Sequence, residues 1–274
     1  MLCSKSKLSK KYQVNHLGYK LYLHTQRTNE QIVRINYFSD VHLEFGEQIL
    51  PETDADIVVA AGDIGVFRQG VEWLKAIGKP VVYVAGNHEF YGYEYQRVID
   101  MLREECQGSQ IHFLEKDQFI FRGVRFLGCT LWADLFVEGA DKAVALGRTL
   151  NDFRKVQFAG GAFQPQDFTD LHNESKSWLH QQLALPYAGK TVVVTHHAPT
   201  EWSWIESPNN LKKLAYCNDL KPLFHEYEIV AWFHGHVHNL GDYRIADARI
   251  LSNTRGYLGR KLVSGFDVNK VIDI

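Results

Sequence analysis

Cysteine is scarce in this sequence. Cys3, Cys106, Cys129 and Cys217 are the four in 274 residues, and no two form a CxxC pair. A chain of this length has no need of disulfide staples, so the pattern reads as free thiols in a reducing compartment. Also missing is an excess of basic charge: 30 Lys+Arg stand against 32 Asp+Glu, a net charge of −2. That excludes a general nucleic-acid or anionic-membrane binder, and leaves room only for a local basic patch. No apolar run is long enough to span a bilayer. The N-terminal MLCSKSKLSKKYQVNHLGYK is basic but lacks the apolar core of a secretory signal. The sequence has no internal repeat, low-complexity tract or interdomain linker. What remains is 45% apolar and 23% charged, ordinary for a soluble protein with a full core, so a cytoplasmic enzyme is expected.

Residues 1–31 differ from the rest. They are polar and basic, with only YKLYLH strand-like, and read as a weakly structured N-terminal extension. A start codon placed too far upstream, with the natural start near Val33, fits them equally well. From residue 32 to 274 apolar runs alternate with amphipathic stretches. IVRINYF (32–38), DIVVAAGD (56–63), PVVYVAGN (80–87), TVVVT (191–195) and IVAWF (229–233) are strand candidates, several apolar enough to be buried on both faces. VEWLKAI sets Val71, Leu74 and Ile77 at helical spacing, and Tyr95, Val98, Leu102 and Cys106 repeat the period. IHFL (111–114), FIF (119–121) and VRFLGCTLW (124–132) predict further strands, and residues 175–185 a helix. Residues 138–170 read as a lid or cap. DYRIADARILSN predicts a hairpin and VNKVIDI a last strand. This is the βαβ pattern of a layered α/β fold.

The polar residues follow the strands. The first runs into SDVH, with Asp40 and His42; the second into GD, with Asp63; the third into GNHE, with Asn87 and His88. TVVVT leads into the pair His196 and His197, and IVAWF into HGHVH, with His234, His236 and His238. Residues i and i+2 of a strand share a face, so Asp40 and His42 can grip one cation. Ligands of α/β sheets bind at the carboxyl ends of strands, and glycines before Asp63, Asn87 and His236 allow sharp turns there. Singly, an Asp after a strand is a turn or cap and an HxH is a solvated pair. Five in this order are not accounted for that way.

The order DxH, GD, GNHE, HH, GHxH resembles the calcineurin-like metallophosphoesterase superfamily, over about residues 33–274. SDVHLEF, LGCTLW, LNDFR, THHAP and NTRGY further resemble a bacterial subgroup of small members. The resemblance implies an α/β four-layer sandwich, with two mixed β-sheets face to face between flanking helices. It implies one metal on Asp40, His42, Asp63 and His238, and a second on Asp63, Asn87, His196 and His236, with Asp63 bridging. Carboxylate, imidazole and amide ligands suit two divalent ions of Mn, Fe or Zn. The implied reaction is hydrolysis of a phosphomonoester or phosphodiester, by in-line attack of a hydroxide bridging ions about 3.5–4 Å apart.

His88 is implied to contact the phosphate together with Asn87, and to protonate the leaving oxygen. A structural His is the rival reading of His88. His197 is expected behind the ligands or in the pocket wall, and His234 in a structural role. One departure stands out. Phosphoprotein phosphatases of the superfamily carry GDxxDRG, whose second Asp orients the catalytic His; here the segment is GDIGVFRQG, with Val66 at that place. Either the partner of His88 is missing or it comes from elsewhere. Asn151, Asp152, Arg154 and Arg255 are candidate pocket residues, Arg255 the expected phosphate contact, with a surface or structural salt-bridge Arg the rival reading of each arginine. Trp202 and Trp204 could wall the pocket or simply pack. The expected partner is a small phosphorylated molecule or nucleotide, with no membrane and with nucleic acid disfavoured. A metal-dependent nuclease and a non-catalytic interaction scaffold are the alternatives. Oligomeric state cannot be read from the sequence.

Overall fold

The computed structural model describes residues 12–14, 20–22 and 32–274. The chain divides into two units, residues 1–31 and 32–274. In the first, Tyr12–Val14 pairs antiparallel with Lys20–Tyr22. The rest of the N-terminal extension lies outside the described residues.

In the second unit the strand candidates sort into two sheets. Strands β1 (Arg34–Phe38), β2 (Ile57–Ala61), β3 (Val81–Val84) and β4 (Ile111–Phe113) lie in parallel order. The terminal VNKVIDI run supplies β11 (Val271–Asp273), antiparallel beside β1. The second sheet has β5 (Asp117–Phe121), β6 (Val124–Cys129), β7 (Lys190–Thr195), β8 (Ala231–His234), β9 (Leu240–Ile245) and β10 (Ala248–Asn253), in the order β9-β10-β8-β7-β6-β5. Its middle is parallel, and each edge strand is antiparallel.

The period of two divides each strand between layers. In β2, Ile57, Val59 and Ala61 face the other sheet, where they meet Val192, Val194 and Phe233. Val58 and Ala60 face α1 (Gln69–Ala76) and α2 (Tyr95–Cys106) through Val71, Leu74, Val98 and Leu102. In β8, Trp232 faces the opposite outer layer, against Leu179, Leu183 and Phe224. Each buried Val, Ile, Leu or Phe side chain among these contributes about 1.5–3 kcal/mol. Helices outside and two mixed sheets inside give the four layers. No helix among the described residues is long and apolar enough to cross a membrane.

Two expectations change. VRFLGCTLW does not stay extended to its end: β6 stops at Cys129, because Leu131 and Trp132 take positive φ of 74° and 52°. Residues 138–170, expected as a lid or cap, pack into the main core and send Thr149, Leu150, Asn151 and Asp152 to the cleft described below. They fold as α3 (Ala140–Thr149), α4 (Asp152–Lys155), a small hairpin and the start of α5 (Pro165–Ala184). Leu146, Phe153, Val156, Phe163 and Phe168 are buried in the main core, which fixes the segment in place. Helix α5 begins ten residues before the amphipathic run that marked it. Pro165 takes its first turn, and the Asp167 carboxylate accepts from the Gln164 N–H at 2.8 Å.

Candidate metal centre

Each of the five strands β1, β2, β3, β7 and β8 runs into a tight loop, and the loops are laced together. The Asp40 N–H donates to the Gly62 carbonyl at 3.0 Å, the His42 N–H to Asp63 at 2.9 Å, and the Gly235 N–H to His196 at 2.9 Å. Asp40, His42, Asp63, His236 and His238 all hold positive φ, between 47° and 68°. For residues other than glycine this costs of the order of 1–3 kcal/mol each and persists only where the surroundings impose it. It turns each side chain back toward the rim where the strands end. Gly62 and Gly86 make room: a side chain on Gly62 would meet His196, and one on Gly86 the Asp63 carboxylate.

Two clusters result. In the first, His238 Nε2 lies 3.1 Å from Asp40 Oδ1 and 3.1 Å from His42 Nε2. In the second, His196 Nε2 lies 3.1 Å from His236 Nδ1 and 3.2 Å from Asn87 Oδ1. Asp63 stands between them, with Oδ2 3.6 Å from His42 Nε2 and 3.4 Å from His196 Nε2. Its other oxygen is occupied, accepting from the His88 N–H at 2.8 Å. All seven candidate ligands from the sequence meet here. Asp40, His42, Asp63, Asn87, His196 and His236 are buried, and His238 is half-buried.

The donor set fits cations. His42 Nδ1 is held 3.0 Å from Glu44, and His196 Nδ1 donates to the Ala61 carbonyl at 2.9 Å. Each Nε2 is thereby the atom turned toward the neighbouring acceptors, a place that favours a proton or a cation. Burial alone would raise the Asp63 carboxyl, but His196 and His88 hold it well below the usual range. Burial works against a charged His196, yet Asp63 and Asp40 outweigh it and raise the imidazole to about 10. The field that favours a proton there favours a metal ion in its place. His42 and His236 are pushed down by burial, as neutral ligands should be.

Three residues outside the candidate ligand set hold this geometry. Glu89, the last residue of GNHE, is buried and accepts from the backbone N–H of Asp63, Ile64 and Gly86 and from the Tyr83 hydroxyl, at 2.8–3.0 Å. Burial and the nearby Asp63 raise its carboxyl to about 7. Asp152, expected only as pocket lining, accepts from Asn87 Nδ2 at 2.8 Å, which turns the amide oxygen toward His196. Glu44 accepts from His42 Nδ1 and stands 2.7 Å from His88 Nδ1.

A cleft of about 250 Å³ opens over the clusters. His88, Asn151 and Asp152 line it, and Tyr91, Trp204 and Tyr257 form part of its wall. Arg255 does not reach it. The side chain is buried and donates to the carbonyls of Val41, Gly46 and Glu47 at 2.6–3.0 Å, so the expected phosphate contact is instead a brace under the loop that carries His42 and Glu44. Arg154 turns to the Arg148 carbonyl. Trp202 is 56% exposed, beside Lys221 and Tyr243. His197 packs behind His236 against Trp132, and His234 bonds Ser203 Oγ at 2.9 Å.

A four-layer sandwich with two adjacent His/Asp clusters at its strand ends defines a metallophosphoesterase, a metal-binding hydrolase. Residues 33–240 match the model of the calcineurin-like phosphoesterases, and the chain belongs to that family. The chain is 24% identical over 276 residues to "Uncharacterized protein L509" of Acanthamoeba polyphaga mimivirus, covering 88% of this chain and 96% of the other. Among solved structures it is similar to Phosphopantetheinyl Hydrolase (PptH) from Mycobacterium tuberculosis, with a TM-score of 0.65 and 18% identity, over 81% of this chain and 89% of that one. That likeness is one of fold.

Proposed function

We propose that the protein hydrolyses a small phosphomonoester or phosphodiester with two divalent cations, of Mn, Fe or Zn, held by the two clusters. The carrying observation is the placement of Asp63 Oδ2 between His42 Nε2 and His196 Nε2, at 3.6 and 3.4 Å. Asp40, His42 and His238 would hold one ion, Asn87, His196 and His236 the other, and Asp63 both. Cations there supply charge to the phosphoryl oxygens and lower the pKa of water. His88 lines the cleft and gives a proton to the leaving oxygen from Nε2. Lys212 and Lys261 line the same cleft and would attract the anionic group, Lys261 from its pair with Glu206 at 3.1 Å, and Trp204, Tyr216 and Tyr257 form part of the wall. The balanced charge of the chain gives no support to a nuclease.

A panel of esters tests this reading. Metal-stripped protein is reloaded with Mn, Fe or Zn singly and offered p-nitrophenyl phosphate, bis-p-nitrophenyl phosphate, nucleoside monophosphates and a phosphopantetheinyl ester. The last is included because the Mycobacterium tuberculosis neighbour carries that activity in its name. At least one metal restores turnover of at least one ester, and the ratio of mono- to diester rates fixes the class. Two bound metals with no turnover of any ester would contradict it.

A further inference from the structure

The segment GDIGVFRQG puts Val66, which offers no side-chain acceptor, where the phosphoprotein phosphatases place the carboxylate that orients their catalytic His. In the structure His88 nevertheless has a carboxylate partner. Glu44 Oε1 lies 2.7 Å from His88 Nδ1, although the two residues are 44 positions apart. Glu44, Val66 and His88 line one hollow beside the cleft, so the carboxylate reaches the region Val66 leaves apolar, from the loop after β1. We propose that Glu44 orients His88 for proton transfer to the leaving oxygen, replacing the aspartate absent at position 66. This rests on the reading of His88 given above.

The placement is built rather than incidental. Glu44 follows His42 in a short 3-10 turn, Leu43–Phe45. The Leu43 N–H donates to the Ile64 carbonyl at 3.0 Å, and the Arg255 guanidinium clamps the carbonyls on both sides of the turn. The carboxylate is mostly buried, its side chain 17% exposed. The same Oε1 accepts from His42 Nδ1 at 3.0 Å, so one oxygen sets the tautomer of a candidate metal ligand and of the candidate acid together. With Nδ1–H held by Glu44, His88 presents Nε2 toward Tyr257 on the cleft side, 3.5 Å from its hydroxyl. In the step itself, a water oxygen forms the new bond to phosphorus as the bond to the leaving oxygen breaks. The proton on His88 Nε2 passes to that oxygen, the attacking water gives up its surplus proton to solvent, and His88 is left as a neutral imidazole whose Nδ1–H still donates to Glu44. Glu44 is thus a positioning residue. The trio His42, Glu44 and His88 could instead be a third cation site, and the test separates the two.

The experiment compares the wild type, Glu44→Ala, His88→Ala and the double variant, all loaded with metal. The substrates are β-glycerophosphate, a poor leaving group, and p-nitrophenyl phosphate, a good one. A positioned acid matters most for the poor leaving group. At saturating metal, with two ions per chain bound although the one on His42 binds more weakly, Glu44→Ala is expected to lower kcat by about 100-fold for β-glycerophosphate and by less than about fivefold for p-nitrophenyl phosphate. Adding Glu44→Ala to His88→Ala is expected to cost nothing more. Equal losses on both esters, additive losses in the double variant, or a third metal lost with Glu44 would each overturn the proposal. A second readout is independent of turnover: long-range nitrogen–proton NMR of the metal-free protein, at a pH high enough that His88 is neutral. His88 is expected as the Nδ1–H tautomer in the wild type and the Nε2–H tautomer in Glu44→Ala; Nε2–H in the wild type overturns the proposal at any activity. If no ester is hydrolysed while Nδ1–H is seen, the reading of the site fails and the orientation by Glu44 stands.

Discussion

At the scale of single residues, the centre depends on carboxylates that would touch no metal. Asp152 holds the Asn87 amide by one 2.8 Å hydrogen bond, and Tyr91 accepts from the same nitrogen at 3.0 Å. Outer partners of this kind are worth about 10- to 100-fold in metal affinity. Asp152→Ala is therefore expected to weaken the ion on Asn87, His196 and His236 by that factor and to leave the other unchanged, as read by metal titration; an equal loss at both would contradict it. A second residue sets a pH dependence away from the centre. His172 is buried, its Nδ1 donates to the Leu131 carbonyl, and burial pushes the imidazole down to about 4. Between about pH 4 and 6.5 the unfolded chain then binds the proton and the folded chain does not. The stability is whole above pH 6.5 and is lost as the pH falls, by about 3 kcal/mol. Urea unfolding in chelator, at pH 7 and pH 4, should show His172→Leu losing about that much less than the wild type; parallel losses would refute it.

At the scale of elements, the site is a property of strand ends. Their apolar runs were legible because buried strands need continuous Val, Ile, Ala and Phe, and the candidate ligands because each lies within a few residues of such a run. The supports were not legible, because they come from far along the chain. Glu44 reaches across 44 positions to His88, and Asp152 across 65 to Asn87. Arg255 misled for a related reason: its guanidinium suits phosphate, and only the fold shows it spent on the carbonyls of Val41, Gly46 and Glu47. Glu89 stood in plain view beside Asn87, yet the three backbone N–H groups it gathers belong to two loops. The hidden start of α5 reflects a polar first turn, in which Pro165 and Asp167 carry the signal in place of apolar period. The loops themselves tolerate no added atoms. A Cβ at Gly86 would collide with the Asp63 carboxylate and backbone, neither of which has room to withdraw. Gly86→Ala should thus lower the affinity for both metals more than about tenfold while far-ultraviolet circular dichroism stays native. Unchanged metal binding would show that Asp63 is not held where the structure puts it.

At the scale of the whole molecule, two sheets are packed so that their parallel strands discharge at one rim, and five residues there are held in left-handed backbone. Such strain and burial of like groups are offset by whatever binds the folded form alone, so bound metal should raise stability by about 2.7 kcal/mol at a hundredfold excess over Kd. The central claim is that Asp63 joins two cations into one hydrolytic centre. The measurement that tests it most directly is the metal content of wild type and Asp63→Ala, taken on the same samples as their turnover of the best ester. Wild-type activity should rise with occupancy up to two ions per chain and vanish in chelator, and Asp63→Ala should hold fewer ions and turn over nothing. Full activity in Asp63→Ala, or in metal-free wild type, would contradict it.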